Sequence, residues 1–398
     1  MAYDVVPLKE LCNDFKKDIV DGPFGSNLKR KHFTDSGVAV LKIQNIKPFL
    51  INDKKMEFVT PEKFQELKRH SFQKGDIVMT KLGSPLGVSA IVEDLEEGVI
   101  VADLVRIRAE KINTKYLCYH LNSPVTSAYI NSFQKGATRP RVKISVAREL
   151  PILTPPSDVQ KQIVMKLDAA FSDIEKAKKY AEHNIKNARD LFGSYLYQVF
   201  NEKDDHWVET TLGSIAEVSS GGTPKKSQKS FWGGDLPWYS SGELNELYTV
   251  NPKAMITEEG LAGSNAKIFP KGSLLIGMYD TAALKMSILD RDGAFNQAIA
   301  GVKPTNGVNL EFVLHWINLI KPQLLAQRRG VRQKNLNQSK IKDIPLFLPA
   351  IDKQNDVVKK IRDFEGLCVG LISIYEKKIE ELNDLKQSIS QKAFMGKL

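Results

Sequence analysis

At 398 residues the chain is too long for one ordinary domain. Its 57 Lys and Arg against 47 Asp and Glu give a net charge of +10, which favours a polyanionic partner, while 42% hydrophobic residues is ordinary for a soluble protein. The scattered Cys12, Cys118 and Cys368 contain no CxxC pair, which argues against a disulfide framework or zinc site and for a reducing compartment. The opening MAYDVVPLKE lacks the basic-then-apolar order of a secretory signal, and no apolar run approaches the ~18 residues of a membrane span, so a cytoplasmic location is expected.

Residues 1–155 read as a mixed head of short strands. Val38–Ile46, Asp76–Thr80 and Ile100–Ile107 have strand composition. Gly22-Pro-Phe-Gly25 and Gly83-Ser-Pro-Leu-Gly87 are turn-rich loops between them. Tyr116–Asn131 reads as a helix, followed by KGATRPRVKIS, a loop carrying Lys135, Arg139, Arg141 and Lys143 with no acid. Pro151 and Pro155-Pro156 end the head. Ser157 or Asp158 caps the next helix, with Gln160 placed to close a capping box on Ser157.

Residues 156–203 predict one long helix. Ile163, Leu167, Ala170, Ile174, Ala177, Ala181, Ile185, Ala188, Leu191, Tyr195 and Val199 fall mostly at alternating steps of three and four, a heptad seam. Residues 204–349 repeat the head and 350–398 repeat the helix, its seam running Ile361, Phe364, Cys368, Leu371, Tyr375, Ile379, Leu382, Leu385, Ile389 and Ala393. Such narrow seams are best buried against each other, so an antiparallel pair is expected, with Leu167, Ile174, Leu191, Ile361, Leu371 and Leu385 in its core.

The repeat extends to the heads. Trp207–Ala216 matches Tyr3–Leu11 in layout, Leu236–Leu244 stands for Val40–Ile46, Lys271–Met278 for Lys74–Lys81, and Asn309–Gln327 for the helix at Tyr116. The basic loop returns with Arg328, Arg329, Arg332 and Lys334. At an offset of 194 residues Gly136 meets Gly330, Pro151 meets Pro345, Pro155 meets Pro349 and Gln160 meets Gln354. The predicted fold is α+β: two mixed α/β heads joined by two long antiparallel helices, a coiled-coil spacer, in a pseudo-twofold tandem duplication. Similarity is strongest where the helices begin and weakest in the heads, which implies two different targets.

No catalytic or metal centre is legible. Gly221-Gly-Thr-Pro-Lys-Lys-Ser227 lacks the second glycine of a phosphate loop and reads as a turn. Thr154-Pro-Pro-Ser157 has no aromatic residue to complete an amino-methyltransferase tetrad, and its prolines and serine suit a helix start. His32, His70, His120, His183, His206 and His315 show no ligand spacing. Glu66-Leu-Lys68 after Asp53 imitates a nuclease tail but is a commonplace of charged helices.

The two basic loops are the best binding candidates. Lys and Arg neutralise phosphates, and Arg139, Arg141, Arg329 and Arg332 have the fork that reads guanine O6 and N7. Arg332-Gln-Lys-Asn335 mixes side chains that read guanine and adenine edges. Ser26, Lys29, Lys81 and Ser84, with Lys225, Lys226, Tyr239, Ser240 and Tyr279 in the second copy, are weaker candidates.

These residues carry a family resemblance. Gly22-Pro-Phe-Gly25 followed by Leu41-Lys-Ile-Gln-Asn-Ile46, Lys74-Gly-Asp-Ile77, Glu149-Leu-Pro-Ile-Leu-Thr-Pro-Pro-Ser-Asp-Val-Gln-Lys-Gln-Ile163 and Ile344-Pro-Leu-Phe-Leu-Pro-Ala-Ile-Asp-Lys-Gln354 resemble the specificity subunits of type I restriction-modification enzymes. The second head has Gly221-Gly-Thr-Pro224 in place of GPFG. The resemblance implies two target recognition domains, each reading one half of a split, asymmetric site in double-stranded DNA. It implies that the helices dock two methyltransferase subunits, with a restriction-translocase subunit completing the complex. It implies a non-catalytic chain without a cofactor, S-adenosylmethionine being held by the methyltransferase subunit.

A helix of roughly 43 residues is about 65 Å long, enough to carry two reading heads about one duplex turn, ~34 Å, apart. Two other readings compete: a self-sufficient DNA methyltransferase or nuclease with unfamiliar motifs, and a coiled-coil scaffold using its basic loops on RNA or acidic proteins.

Overall fold

Short β-rich segments between glycine and proline turns make strands of two to eight residues in this chain, and the heptad runs make helices of 45 and 44 residues. The computed structural model describes residues 3–133, 140–202, 206–326 and 336–395. It comprises two compact units, Met1–Glu182 with Glu376–Leu398, and His183–Tyr375. Each long helix therefore contributes to both.

The first unit runs β1 (Asp4–Pro7), α1 (Phe15–Asp18), β2 (Ile19–Asp21), β3 (Val38–Leu41), β4 (Ile46–Lys47), β5 (Leu50–Ile51), β6 (Glu57–Val59), α2 (Pro61–Glu66), β7 (Ser71–Gln73), β8 (Ile77–Thr80), β9 (Ser89–Ile91), β10 (Glu97–Ile100) and β11 (Leu104–Ile107). Helices α3 (Thr114–Leu121), α4 (Pro124–Ser132) and α5 (Ile144–Arg148) come next, then β12 (Pro151–Thr154), which pairs antiparallel with β1 and leads into α6 (Ser157–Asn201). The strands form sheets of order β6-β3-β10-β7 and β2-β11-β8-β9. Alternation along each strand makes both sheets two-sided. Leu41, Phe72 and Ile100 meet Val78, Ala90 and Leu104 between the sheets. The other face of the second sheet, Ile77, Met79, Val105 and Ile107, shares a core with Tyr116, Ile163, Leu167 and Phe171.

Three expectations change here. The run Val38–Ile46 is a strand only to Leu41, with a 3-10 turn at Ile43–Asn45 before β4 in another sheet. The run Ile100–Ile107 is two strands in different sheets: Ile100 closes β10, and the chain turns at Val101–Asp103 before β11. The helix expected over 116–131 breaks at Asn122, because Ser123 caps a new helix by accepting from the Thr126 amide (3.3 Å) and Pro124 sits at its first position without an N–H to lose.

The second unit runs β13 (Val208–Thr211), α7 (Leu212–Ile215), β14 (Val218–Ser220), β15 (Trp232–Tyr239), β16 (Ala254–Ile256), α8 (Glu258–Ala262), β17 (Leu274–Gly277), β18 (Met286–Ile288), β19 (Ala294–Phe295), β20 (Ile299–Val302), α9 (Leu310–Ala326), α10 (Gln338–Lys342), β21 (Pro345–Leu348) and α11 (Ile351–Phe394). Its sheets, β14-β20-β17-β18 and β16-β15-β19, repeat the order of the first unit, the second without a counterpart of β7, and the parallel pair β15–β19 repeats β3–β10.

Within each unit the long helices run antiparallel. In the first, Ile163 and Leu167 share a core with Ala393 and Phe394, while Glu175 reaches Lys386 at 2.8 Å. In the second, Val199 and Phe200 share a core with Val357, Val358 and Ile361, and Tyr195 stacks on Phe364 with ring centroids 4.1 Å apart. Leu167, Ile174 and Ile361 are buried as expected, but Leu191, Leu371 and Leu385 are 53%, 40% and 47% exposed. Each of these leucines lies one residue ahead of the inward position. A step of four leads from Ala188 to Phe192, from Cys368 to Ile372 and from Leu382 to Lys386, all three half-buried. Lys386 hides in the seam because its ammonium lies 4.8 Å from the Phe171 ring centroid and pairs with Glu175.

Each head is fastened to its long helix by a buried glutamine. Gln160 accepts from the Asn113 amide (2.9 Å) and donates to the Pro155 carbonyl (2.8 Å). Gln354 accepts from the Asn309 amide (2.8 Å) and donates to the Pro349 carbonyl (2.8 Å). The expected capping box on Ser157 is thus replaced by a clamp. Eight residues further along each long helix stands a second tie, with reversed sign. Asp168 takes Lys115 (2.8 Å) and the Tyr119 hydroxyl (2.5 Å), whereas Arg362 takes Glu311, which also accepts from the Tyr248 hydroxyl (2.9 Å). Burial pushes the Glu311 carboxyl up, but His315 at 3.9 Å, Arg362 and Tyr248 outweigh it and hold it down at about 2.

Two outcomes are expected. Phe192→Asp destabilises the protein by about 2–4 kcal/mol, whereas Leu191→Asp stays within about 0.5 kcal/mol, as read by denaturant unfolding; equal losses would refute the corrected seam. Because the Glu311 pKa is depressed on folding, its contribution, about 3 kcal/mol, is complete above its ordinary value of 4.5 and fades as pH falls towards 2. Unfolding monitored from pH 6 down to 2.5 should show a flatter pH dependence for Glu311→Gln than for the parent chain.

Candidate nucleic-acid interface

Loops from distant parts of the sequence meet at one end of the sheet β2-β11-β8-β9. Gly22 follows β2 and donates to the Leu104 carbonyl (3.3 Å); a Cβ there would lie 2.1 Å from the Val101 carbonyl carbon, so only glycine lets the loop cross the β10–β11 turn. After β8, the Lys81 amide donates to Asp103 (2.7 Å) and its carbonyl accepts from Val142 (2.8 Å), with Leu82 bridged to Arg141. The end of the sheet thus gathers 22–29, 81–87, 101–103 and 140–143. Phe24, 82% exposed, Ser26, Lys29, Ser84, Arg141 and Lys143 are exposed on these loops. Arg141 donates to the Asp103 carboxylate (3.2 Å) and the Ala102 carbonyl (3.3 Å), which aims its guanidinium along the turn.

The second unit repeats the assembly with different side chains. Gly221 donates to Ile299 (3.3 Å), and a Cβ on it would sit 2.0 Å from the Phe295 carbonyl oxygen. Gly222 donates to Phe295 (2.9 Å), and its carbonyl accepts from the Trp238 indole (2.9 Å). The Met278 carbonyl accepts from Leu336 (3.0 Å), as that of Lys81 does from Val142. Lys225 and Lys226 are exposed on the first of these loops, and Ser240 and Tyr279 are half-buried.

Two candidates are corrected. Lys81 is 5% exposed, its ammonium 2.8 Å from Asp21; it holds two loops together and has no free face for a phosphate. Tyr239 is 1% exposed in a core with Phe269 and Phe295, and burial pushes its phenol up. Lys135, Arg139, Arg328, Arg329, Arg332, Lys334 and Asn335 lie outside the described residues. Phe24 is a loop residue that the search for cations and hydroxyls passes over; an aromatic side chain between the turn glycines of Gly22-Pro-Phe-Gly25, with no apolar periodicity around it, is the signal that could have found it.

Among the described residues no group of His, Cys, Asp and Glu is arranged to hold a metal ion, and no helix is long and apolar enough to cross a membrane. Cys12 and Cys118 are buried, and desolvation pushes both thiols up to about 12. His120, also buried, is pushed down to about 4 by burial and accepts from the Leu153 amide (3.2 Å). These are core groups. The loop ends offer cations, hydroxyls and an aromatic ring, which suits binding to a charged, stacked polymer.

A family model of the type I restriction modification DNA specificity domain matches residues 6–182 and, again, 204–383. The chain is 25% identical over 283 residues to the specificity subunit of the Escherichia coli type I restriction enzymes EcoR124I and EcoR124II, covering 67% of each. It is 21% identical over 405 residues to the putative MjaX specificity subunit of Methanocaldococcus jannaschii, covering 96% of this chain and 92% of that one. The HsdS subunit from Thermoanaerobacter tengcongensis shares the fold with a TM-score of 0.63 at 18% identity, covering 100% of this chain and 97% of that one. A chain solved in work on assembly and conformational transition of the type I R-M system has a TM-score of 0.77 at 18% identity, covering 100% and 98%.

Proposed function

The chain belongs to the type I restriction-modification DNA specificity family, and we propose that it is the subunit that gives such a complex its sequence preference, each head binding one half of a bipartite, asymmetric DNA site. The observation that carries this reading is the repeated loop assembly. Both units gather the same loops at the same end of the same sheet and load them with different residues, Phe24, Arg141 and Lys143 in one, Lys225, Lys226 and Tyr279 in the other. A constant frame with unlike faces is what two unlike half-sites require. Backbone cations fix register on phosphates, and forked or aromatic side chains read base edges.

In this reading the chain performs no chemistry itself. Methyl transfer belongs to a methyltransferase subunit that holds S-adenosylmethionine, and a restriction-translocase subunit completes the assembly. The long helices supply the docking face: Leu367, Leu371 and Ile374 are 71%, 40% and 63% exposed along one side of α11, an apolar stripe that the heptad seam does not use.

Replacing Arg141 and Lys143 together by Ala should weaken binding to the cognate duplex and lower the slope of log affinity against log salt by about 1–2. Base changes in the half-site read by the first head should lose their effect, while those in the other half keep theirs; equal relaxation of both halves would count against separate reading heads. Leu371→Asp, harmless to the seam, should leave the unfolding midpoint unchanged yet reduce co-purification with the methyltransferase subunit. Full assembly in that variant would remove the docking role from the stripe.

A further inference from the structure

The middle strands of the two corresponding sheets are apolar at every matched position but one. Arg106 in β11 pairs with Val78 of β8, and Gly301 in β20 pairs with Leu275 of β17. Each stands two residues beyond the strand's start and faces the other sheet. In the second unit the space is dry: a Cβ on Gly301 would meet the Phe295 ring at 2.3 Å and the Phe269 ring at 2.7 Å. In the first unit the same place holds a guanidinium.

Arg106 is 5% exposed. One terminal nitrogen donates to the Lys17 carbonyl, and Nε, fully buried, has no partner. The Asp76 carboxylate nearby is already taken, Oδ1 by Arg108 Nε (2.8 Å) and Oδ2 by Arg108 Nη2 (2.9 Å) and the Gln73 amide (2.8 Å). Burial pulls the Arg106 pKa down from the ordinary arginine value, against the pull of Asp76. A buried cation without a hydrogen-bonded counter-ion is costly, and proteins keep one where something else supplies the charge.

Arg106 lines a cleft of about 690 Å³ whose rim carries exposed Lys16, Lys17, Lys68 and Arg69. Lys17 meets Asp14 at 3.5 Å and Lys68 meets Glu97 at 3.1 Å; Lys16, Arg69 and Arg106 form no ion pair with any described residue. The cleft opens where β2 begins and β11 ends, the opposite end of the sheet from the loops of the candidate interface. It is large enough for a nucleotide.

We propose that this cleft is a second site, present in the first unit only, which binds a phosphate group, with Arg106 at its floor and Arg69 and Lys16 at its mouth. The phosphate belongs either to a free ligand, inorganic phosphate or a nucleoside triphosphate, or to the backbone of nucleic acid reaching this side of the head. The guanidinium fork suits two phosphate oxygens at once.

The test is calorimetric titration of the full chain with inorganic phosphate, with ATP and with duplex DNA, in the parent and in Arg69→Ala, a rim variant that leaves the core intact. A free ligand is indicated by saturable binding of phosphate or ATP that weakens at least tenfold in Arg69→Ala while duplex affinity stays level. A nucleic-acid source is indicated if only duplex affinity falls, with a salt slope lower by about 1. The proposal is overturned if Arg69→Ala and Lys16→Ala match the parent for all three ligands. Arg106→Met gives the second reading where it folds: loss of the same binding supports the site, and unchanged binding overturns it.

Discussion

Everything about how a head is held begins with one buried amide. Gln160 and Gln354 each use both ends of the side chain, the oxygen on the amide of the asparagine just before a head's helix and the nitrogen on the proline carbonyl that precedes the long helix. Neither is more than 7% exposed, so removing either would leave a backbone donor and a backbone acceptor unpaired away from water. The amide fixes where the head's helix starts relative to the long helix. From that origin the charged tie two residues along one helix and eight along the other falls within reach without further design. In the first unit the sheet, and so the loops at its end, is then seated on the same long helix by the core that Ile77, Met79, Val105 and Ile107 share with Ile163, Leu167 and Phe171.

The loops in turn are placed by backbone, not by the side chains that would read a ligand. Gly22 and Gly221 permit contacts that any Cβ would block, and the Lys81 and Met278 carbonyls accept the same incoming amide in the two units. Because the frame is made of main-chain bonds, its side chains are free to differ. Lys81 shows the opposite use of a loop residue: its charge is committed inside the frame, to Asp21. A cation in a basic loop is therefore kept from a ligand where, as at Lys81, its charge is both paired and buried; Arg141, paired with Asp103 but exposed, is not.

The duplication and the antiparallel helices are legible in the sequence because they are written in apolar spacing and in paired landmarks such as Gln160 and Gln354. The burial of individual seam positions is less so. Leu191, Leu371 and Leu385 attract attention as leucines, while the seam uses Phe192, Ile372 and a lysine; a step of three and a step of four are both open at these places, and which one is taken depends on the partner helix. Tyr239 misleads for a related reason. It comes after Trp238 in a strand whose parallel neighbour, β19, brings Phe295 beside it, and that pairing crosses more than fifty residues of sequence. The exposed cations of the loops are legible as a class, but which of them the frame consumes depends on partners that spacing does not reveal.

The sign reversal between the two charged ties bears on what the duplication can and cannot exchange. Lys115 and Glu311 stand at matched places on the heads, Asp168 and Arg362 at matched places on the long helices. A head set on the other helix would bring Lys115 to Arg362 and Glu311 to Asp168. The first clash is between exposed groups and is partly screened. The second would leave Glu311, 4% exposed, facing a like charge with His315 and Tyr248 but without Arg362, and a buried carboxylate that loses its cation is destabilising. The shared glutamine clamp makes the two joints alike in geometry, and the reversed charges make them unlike in energy. Two copies descended from one module can therefore keep the same joint while each head remains matched to its own helix.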